Sequence, residues 1–106
     1  MKNSICLVGP ENYEREVETE ETPVLLLCMP PNEAFHYILD VVEKTTRKYH
    51  QKLKVVLLKE DFIEAFKEQY QIVGTPTFLI LVKGKEKKRL LGVIDEKTLA
   101  DFIIYP

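Results

Sequence analysis

The chain has 106 residues, of which 45% are hydrophobic and 30% charged, and a formal net charge of −2 at pH 7. These values predict one globular domain over residues 1–106 with a core of its own, and the charge gives no reason to expect nucleic-acid binding. No apolar run approaches the ~18 residues of a membrane span, and the first residues are too weakly apolar for a signal peptide. We therefore expect a cytoplasmic protein with reduced cysteines and no membrane partner.

The first half of the chain predicts two strands and a long helix. Residues 4–8 read as a strand, and a short peripheral helix opened by Pro10 follows, with Tyr13 and Val17 as its only apolar contacts. Residues 24–29 are continuously apolar, which is typical of a strand buried on both faces of a parallel or mixed sheet.

Residues 33–50 change to the 3.6-residue period of a helix. At its start, either Pro31 takes the first helical position or Asn32 caps. The predicted apolar face is Phe35, Ile38, Leu39, Val42, Thr46 and Tyr49. A strand over residues 53–58 follows, and then a second helix over residues 61–69, whose predicted core side is Phe62, Ala65, Phe66 and Tyr70.

The last third begins with Val73-Gly74-Thr75-Pro76, which interrupts the chain before an apolar strand over residues 77–82. Pro76 lacks an N–H and suits the first residue of a strand. Lys83-Gly84-Lys85 predicts a tight turn, residues 87–93 an antiparallel return strand, and Asp95 the cap of a final helix through Ile104. This order of elements predicts an α/β fold with a mixed sheet of about five strands and helices on both faces.

Charge is unevenly distributed along the chain. An acidic segment, residues 11–21, carries six glutamates and one arginine, and a basic hairpin contains Lys83, Lys85, Lys87, Lys88 and Arg89 with only Glu86 against them. Both runs are typical of solvated faces. The alternative is that the basic hairpin contacts an acidic protein partner.

Five segments, taken in order, resemble the thioredoxin family over nearly the whole chain. They are residues 23–26, 52–56, 69–77 and 83–85, and Leu91-Gly92-Val93 with Leu99 and Phe102 after it. The resemblance implies a thioredoxin-like fold with strand order 1-3-2-4-5. It also implies a cis Thr75–Pro76 peptide bond, although only about 5% of X–Pro bonds in folded proteins are cis.

The chain departs from this family where the reaction centre lies. In place of a C-x-x-C it has Cys28-Met29-Pro30-Pro31 in a shortened loop, and disulfide exchange by a dithiol needs a resolving thiol. By alignment, the family's buried aspartate and lysine correspond to Leu27 and Leu57, and the tryptophans are absent. These departures argue against ordinary thioredoxin activity.

The resemblance therefore implies a redox-inactive, chaperone-like or accessory protein, as in the hydrogenase-maturation chaperones of this fold that lack both cysteines. A protein or peptide client would bind by β-augmentation in a groove. The groove residues are Thr75, Pro76, Pro30, Pro31 and Gly92. We expect no catalytic residue, cofactor or metal.

The alternative function is a thiol-disulfide enzyme or redox sensor that uses Cys28 as a single thiol. Against it, free cysteine is often a small buried hydrophobe, which is also the expectation for Cys6. A Cys6–Cys28 bridge is not expected, because the third strand separates them. His36 and His50 are too far apart on one helix to share a metal ion, and Tyr37 and Tyr70 read as core or rim residues.

Overall fold

The structure, a computed structural model, describes residues 5–49 and 52–104. The strands are β1 (Ile5–Val8), β2 (Val24–Cys28), β3 (Lys54–Leu58), β4 (Thr77–Val82) and β5 (Lys85–Leu91). The α-helices are α1 (Phe35–Thr46), α2 (Ile63–Tyr70) and α3 (Glu96–Ile104). Strands and helical segments alternate as the sequence predicts, and the terminal hairpin and helix are in place.

The five strands form one sheet in the order β1-β3-β2-β4-β5, which confirms the predicted topology. β3 pairs parallel to β1 and β2, whereas β4 pairs antiparallel to β2 and β5. Because β3 lies between β1 and β2, Cys6 and Cys28 are on non-adjacent strands, and both thiols are free.

None of the helices in the described ranges is both long and apolar enough to cross a membrane.

β2 is the centre of the core, and its five residues are all buried. Successive side chains of a strand point to opposite faces, so each side of β2 contributes to a different apolar layer. Val24, Leu26 and Cys28 join the layer beneath α2, and Leu25 and Leu27 join the layer beneath α1 and α3. This arrangement explains the uninterrupted apolar run in the sequence.

The first helical segment is a single π-helical turn at Glu14–Glu18, later than the predicted start at Pro10. Asn12 causes the delay. Its side-chain oxygen accepts the Gly9 N–H at 2.8 Å, and its own N–H donates to the Gly9 carbonyl at 3.2 Å. A turn therefore closes before the helix can begin. Tyr13 and Val17 are buried, as the sequence predicts.

Asn32, rather than Pro31, shapes the start of α1. Its side-chain oxygen accepts the Ala34 N–H and its carbonyl accepts the Phe35 N–H, both at 3.0 Å. α1 consequently begins at Phe35, two residues later than predicted, and passes into a 3₁₀ turn at Arg47–Tyr49. The predicted last residue of this helix, His50, lies outside the described residues.

The predictions for the helices missed three buried positions and were wrong at Ala65. In α1, Val41 and Thr45 are buried but were not predicted. In α2, Ala65 is exposed where it was predicted to face the core, and Ile63 is buried instead. The cause is a 3₁₀ turn at Glu60–Phe62, which changes the helical phase before α2 begins.

The predicted hairpin and final cap are both present. Lys83 and Gly84 have φ values of 52° and 78°, the left-handed pair required by a tight two-residue hairpin turn. β5 therefore begins at Lys85, two residues earlier than predicted. Asp95 accepts the Thr98 N–H at 2.9 Å, so it caps α3.

An ion cluster joins the acidic segment to the sheet. The Lys54 ammonium on β3 donates to Glu16 at 2.5 Å and to Glu20 at 3.2 Å, and it also reaches the Glu16 carbonyl at 2.9 Å. The hydrogen bond from Lys54, with a further one from Arg15, lowers the pKa of Glu16 to about 2. The charged segment is therefore anchored at one end of β3.

This cluster predicts a pH-dependent effect of Lys54→Met. The pKa of Glu16 in the folded protein is lowered from 4.5 to about 2. Glu16 therefore stabilises the fold above pH 4.5, and this contribution is lost as the pH falls towards 2. The variant should therefore unfold more easily than the wild type at pH 7, and the difference should shrink towards pH 2.5. Urea unfolding followed by circular dichroism measures both.

The control for this prediction is Lys52→Met, which removes the same charge from an exposed position close to Lys54. Its effect on the free energy of unfolding should be small at both pH values. A Lys54→Met effect of equal size at pH 7 and pH 2.5 would contradict the electrostatic explanation.

Candidate functional site

The proline loop, residues 73–76, is pinned between two neighbouring segments. The Thr75–Pro76 peptide bond is cis, as the resemblance implied. The Thr77 hydroxyl donates to the Gly74 carbonyl at 2.6 Å, and the Gly92 N–H donates to the Pro76 carbonyl at 2.9 Å. Thr75, Pro76 and Gly92 are thereby brought together at one end of β4.

The backbone of Thr75 is available for pairing. The Cys28–Thr77 pair is the last of the β2–β4 ladder, so Thr75 lies beyond the end of β2. Within residues 5–49 and 52–104, no group hydrogen-bonds to the N–H or C=O of Thr75. An unpaired backbone edge of this kind is a template for an added strand.

Exposed apolar side chains surround this edge and form an apolar rim. Val73 is 89% exposed, Leu91 54% and Val93 59%. Leu91 lies against the loop, because a Cβ placed on Gly74 would be 3.4 Å from Leu91 Cδ1. Contiguous exposed apolar residues on a small protein mark an interaction site more often than single ones do.

Sequence reasoning did not include the apolar rim in the predicted site. The available signal was the Leu91-Gly92-Val93 triplet, in which two apolar residues flank a glycine at the end of an otherwise charged strand. Gly92 has a φ of 118°, a conformation that favours glycine.

The two prolines predicted on the opposite side of the groove are placed differently from each other. Pro30 is half-buried and follows Met29 directly beyond the end of β2, the strand that pairs with the start of β4. Pro31 is exposed and lines a depression on the β3 side of β2. Its place in the groove stays a prediction.

Cys28 is the last residue of β2, and none of its surface is exposed. It belongs to the apolar layer beneath α2. Burial raises the pKa of its thiol to about 11, and the Lys67 ammonium only partly opposes this effect. A reactive cysteine needs a lowered pKa and access to solvent, so this geometry fits a buried hydrophobe.

Cys6 is half-buried on β1, and its thiol donates to Glu16 at 3.5 Å. Burial, followed by the negative charge of Glu16, raises its pKa as well. Neither cysteine is therefore held as a thiolate at neutral pH.

The comparisons with known proteins agree with this fold. The family model described as Thioredoxin matches residues 4–105. The chain belongs to the thioredoxin family. It is similar to the thioredoxin of Synechocystis sp., with 29% identity over 94 residues that cover 88% of each chain. The thioredoxin of Acidithiobacillus ferridurans is 26% identical over 108 residues, covering 97% of this chain and 96% of that relative.

A longer relative is matched only in part. Thioredoxin M-type, chloroplastic, of Brassica napus is 28% identical over 100 residues, which cover 93% of this chain but 56% of that protein. The chain thus spans little more than half the length of this relative.

The two leucines at the positions predicted to align with the family's buried aspartate and lysine form an apolar pair. Leu27 and Leu57, the positions aligned with the family's buried aspartate and lysine, are direct partners in the β2–β3 ladder. Leu27 is 2% exposed and lies in the layer beneath α1, and the half-buried Leu57 packs against that layer. The two positions therefore contribute one hydrophobic pair to this layer.

The remaining candidates form no site in the part of the chain described. His36 is exposed and lies edge-on to Phe35, with ring centroids 5.7 Å apart. Tyr37 is exposed, and Tyr70 stacks on Phe66 at the edge of the core. Among the described residues, no three His, Cys, Asp or Glu side chains are grouped to hold a metal ion.

The burial of Cys28 predicts slow thiol chemistry in the Cys6→Ser variant, which leaves Cys28 as the only thiol. The rise of its pKa from 9.0 to about 11 reduces the thiolate fraction near neutral pH by about a hundredfold. Dithionitrobenzoate should therefore label the native protein at least that much more slowly than the same protein in urea. Rapid stoichiometric labelling of the native variant would contradict the buried placement.

Proposed function

We propose that this member of the thioredoxin family is a redox-inactive, chaperone-like binding module that holds extended segments of protein clients. The groove consists of Thr75, Pro76, Pro30, Pro31 and Gly92. The apolar rim extends it. One observation carries the proposal: the unpaired backbone edge of Thr75 lies beside exposed apolar side chains.

The chemistry of this edge favours a peptide over a small ligand. An extended chain can pair with the free N–H and C=O of Thr75, while its alternate side chains contact the apolar rim. Backbone pairing supplies affinity for many sequences, and the rim adds a preference for apolar side chains. A client of this kind is an unfolded or extended protein segment.

The thiol positions support a function without redox chemistry. The sequence has cysteines only at positions 6 and 28, which lie on strands separated by β3. A dithiol exchange requires a nucleophilic thiolate and a nearby resolving thiol. We propose a cytoplasmic location, in which both thiols stay reduced.

The alternative function, a single-cysteine enzyme or sensor that uses Cys28, is not favoured. Its thiol is buried and protonated, and it points into the apolar layer beneath α2. Access would require opening of the core.

The basic hairpin is proposed only as an additional contact for an acidic client. The Arg89 guanidinium donates hydrogen bonds to the Glu86 carboxylate at 2.6 Å and to the Tyr70 carbonyl at 2.8 Å. Gly84 at the turn packs against Glu18 of the acidic segment, so the two charged runs lie side by side. Lys85 and Lys87 remain exposed for such a contact.

Val73→Asp and Val93→Asp test the groove. Both side chains are mostly exposed, so these changes should alter stability by less than about 0.5 kcal/mol, whereas a charge would oppose an apolar peptide. We expect each variant to weaken, by tenfold or more, the binding of peptides selected by the wild type from an unstructured peptide library. Fluorescence anisotropy of labelled peptides measures the affinities.

The matched control is Leu7→Asp, the same apolar-to-acid change at an exposed position on β1, the far edge of the sheet. It should leave the selected peptides bound. Equal binding by the wild type and both valine variants would show that the rim is not the working surface.

A disulfide-reductase assay tests whether the protein is redox-inactive. With dithiothreitol as reductant, the protein should not accelerate reduction of a disulfide-linked two-chain substrate above the rate with dithiothreitol alone. Acceleration that disappears in Cys28→Ala would establish the alternative function instead.

A further inference from the structure

A second surface, separate from the proline loop, lies where two neighbouring parallel strands lead to helices on opposite faces of the sheet. β2 is followed by α1, which packs in one apolar layer, and β3 by α2, which packs in the other. In open α/β sheets, ligands bind outside the carboxyl ends of strands at such a switch point.

The structure has a depression at this point. Its volume is about 240 Å³, and it is lined by Leu7, Met29, Pro31, Phe35, Leu57, Leu58, Lys59, Glu60 and Ile63. Seven of these nine residues are apolar, and the two charged ones follow directly after β3. Leu57, predicted to align with a polar residue of the family, contributes an apolar side chain to the wall of the depression.

The size of the depression limits what can bind. Drug-sized ligands occupy pockets of about 300–1,000 Å³, so this one is too small for a nucleotide or a large cofactor. An apolar cavity of about 150 Å³ holds benzene, so 240 Å³ suits an aliphatic chain of about six to eight carbons.

The charged groups at the mouth of the depression determine which polar group the ligand carries. Lys59 is already paired with Glu11. Glu60 is exposed, and none of the groups described in the structure pairs with its carboxylate. The three groups together carry one net negative charge, so they favour a cation over an anion at the mouth.

We propose that this depression is a binding site for a small primary alkylamine. The aliphatic chain would lie between Leu7, Leu57 and Ile63, and the ammonium group would donate to the Glu60 carboxylate. The site lies on the β3 side of β2 and uses neither Thr75 nor Gly92, and Pro31 is the one residue that it shares with the proposed peptide groove.

Hexylammonium, titrated into the ¹⁵N- and methyl-labelled protein and followed by NMR, tests the site. We expect saturable shifts at Leu7, Leu57 and Ile63 and none at Val73 or Leu91. From butyl- to hexylammonium, affinity should rise about fourfold per methylene, and it should level off once the chain fills the depression. Hexanoate should bind more weakly than hexylammonium.

Two variants separate the apolar wall from the charge. Glu60→Gln should weaken hexylammonium by about two- to fivefold, as expected for an exposed ion pair, and leave hexanol unchanged. Leu7→Trp, at a half-exposed position, should block the chain and weaken both ligands more than tenfold. Glu68→Gln, an exposed glutamate of α2 that does not line the depression, is the matched control and should change nothing.

The proposal is overturned if no ligand gives saturable shifts up to its solubility limit. It is also overturned if hexanoate binds as well as hexylammonium, or if the shifts appear at the proline loop. Glu60→Gln changes only an exposed side chain and should fold. It therefore tests the preference for a cation even if Leu7→Trp fails to fold.

Discussion

The arrangement of this protein depends on the complete burial of β2. A strand with five apolar residues and no exposed face requires a cover on each side of the sheet and a neighbour on each edge. α1 and α3 cover one face and α2 the other, while β3 and β4 pair with β2 on its two sides. The two main binding surfaces proposed above lie at the carboxyl end of this strand. The proline loop lies on the β4 side, and the apolar depression lies on the β3 side.

Burial of β2 also decides the character of its last residue. Cys28 occupies a position at which the backbone pairs with Thr77 and the side chain points inward. A thiol in that environment loses its hydration when ionised, so its pKa rises and it behaves as a hydrophobe. The same strand register therefore removes the cysteine from the surface and leaves the backbone of Thr75 unpaired beyond the end of β2.

Much of this fold could be predicted from the sequence, because its strong signals are local. The two-faced apolar run of β2, the Lys83-Gly84 turn and the Asp95 cap each have one physical interpretation, and each was found at or near its predicted place. The helix starts were less accurate. Asn12 delays the first helical segment by four residues, and Asn32 and the 3₁₀ turn before α2 each delay a helix by two. The cause is side-chain and turn hydrogen bonds, which cannot be seen in hydrophobic periodicity.

The candidate surfaces were only partly accessible to sequence reasoning. Thr75, Pro76 and Gly92 were predicted because the resemblance placed them together. The exposure of Val73, Leu91 and Val93 depends on tertiary packing, and so does the lack of a partner for Thr75. The depression involves residues from β1, β3, α1 and α2 and from the segment after β2, whose association at one end of the sheet requires the fold itself.

The Leu27–Leu57 pair limits how polar groups could be introduced into this part of the sheet. A buried acid–base pair cannot be introduced here in arbitrary order, because an uncompensated carboxylate at the enclosed Leu27 position would cost several kcal/mol of a total stability of about 5–15 kcal/mol. The half-buried Leu57 position tolerates a lysine first, since its ammonium can extend to solvent. Polar residues could therefore enter this pair in one order only, with position 57 changing before position 27.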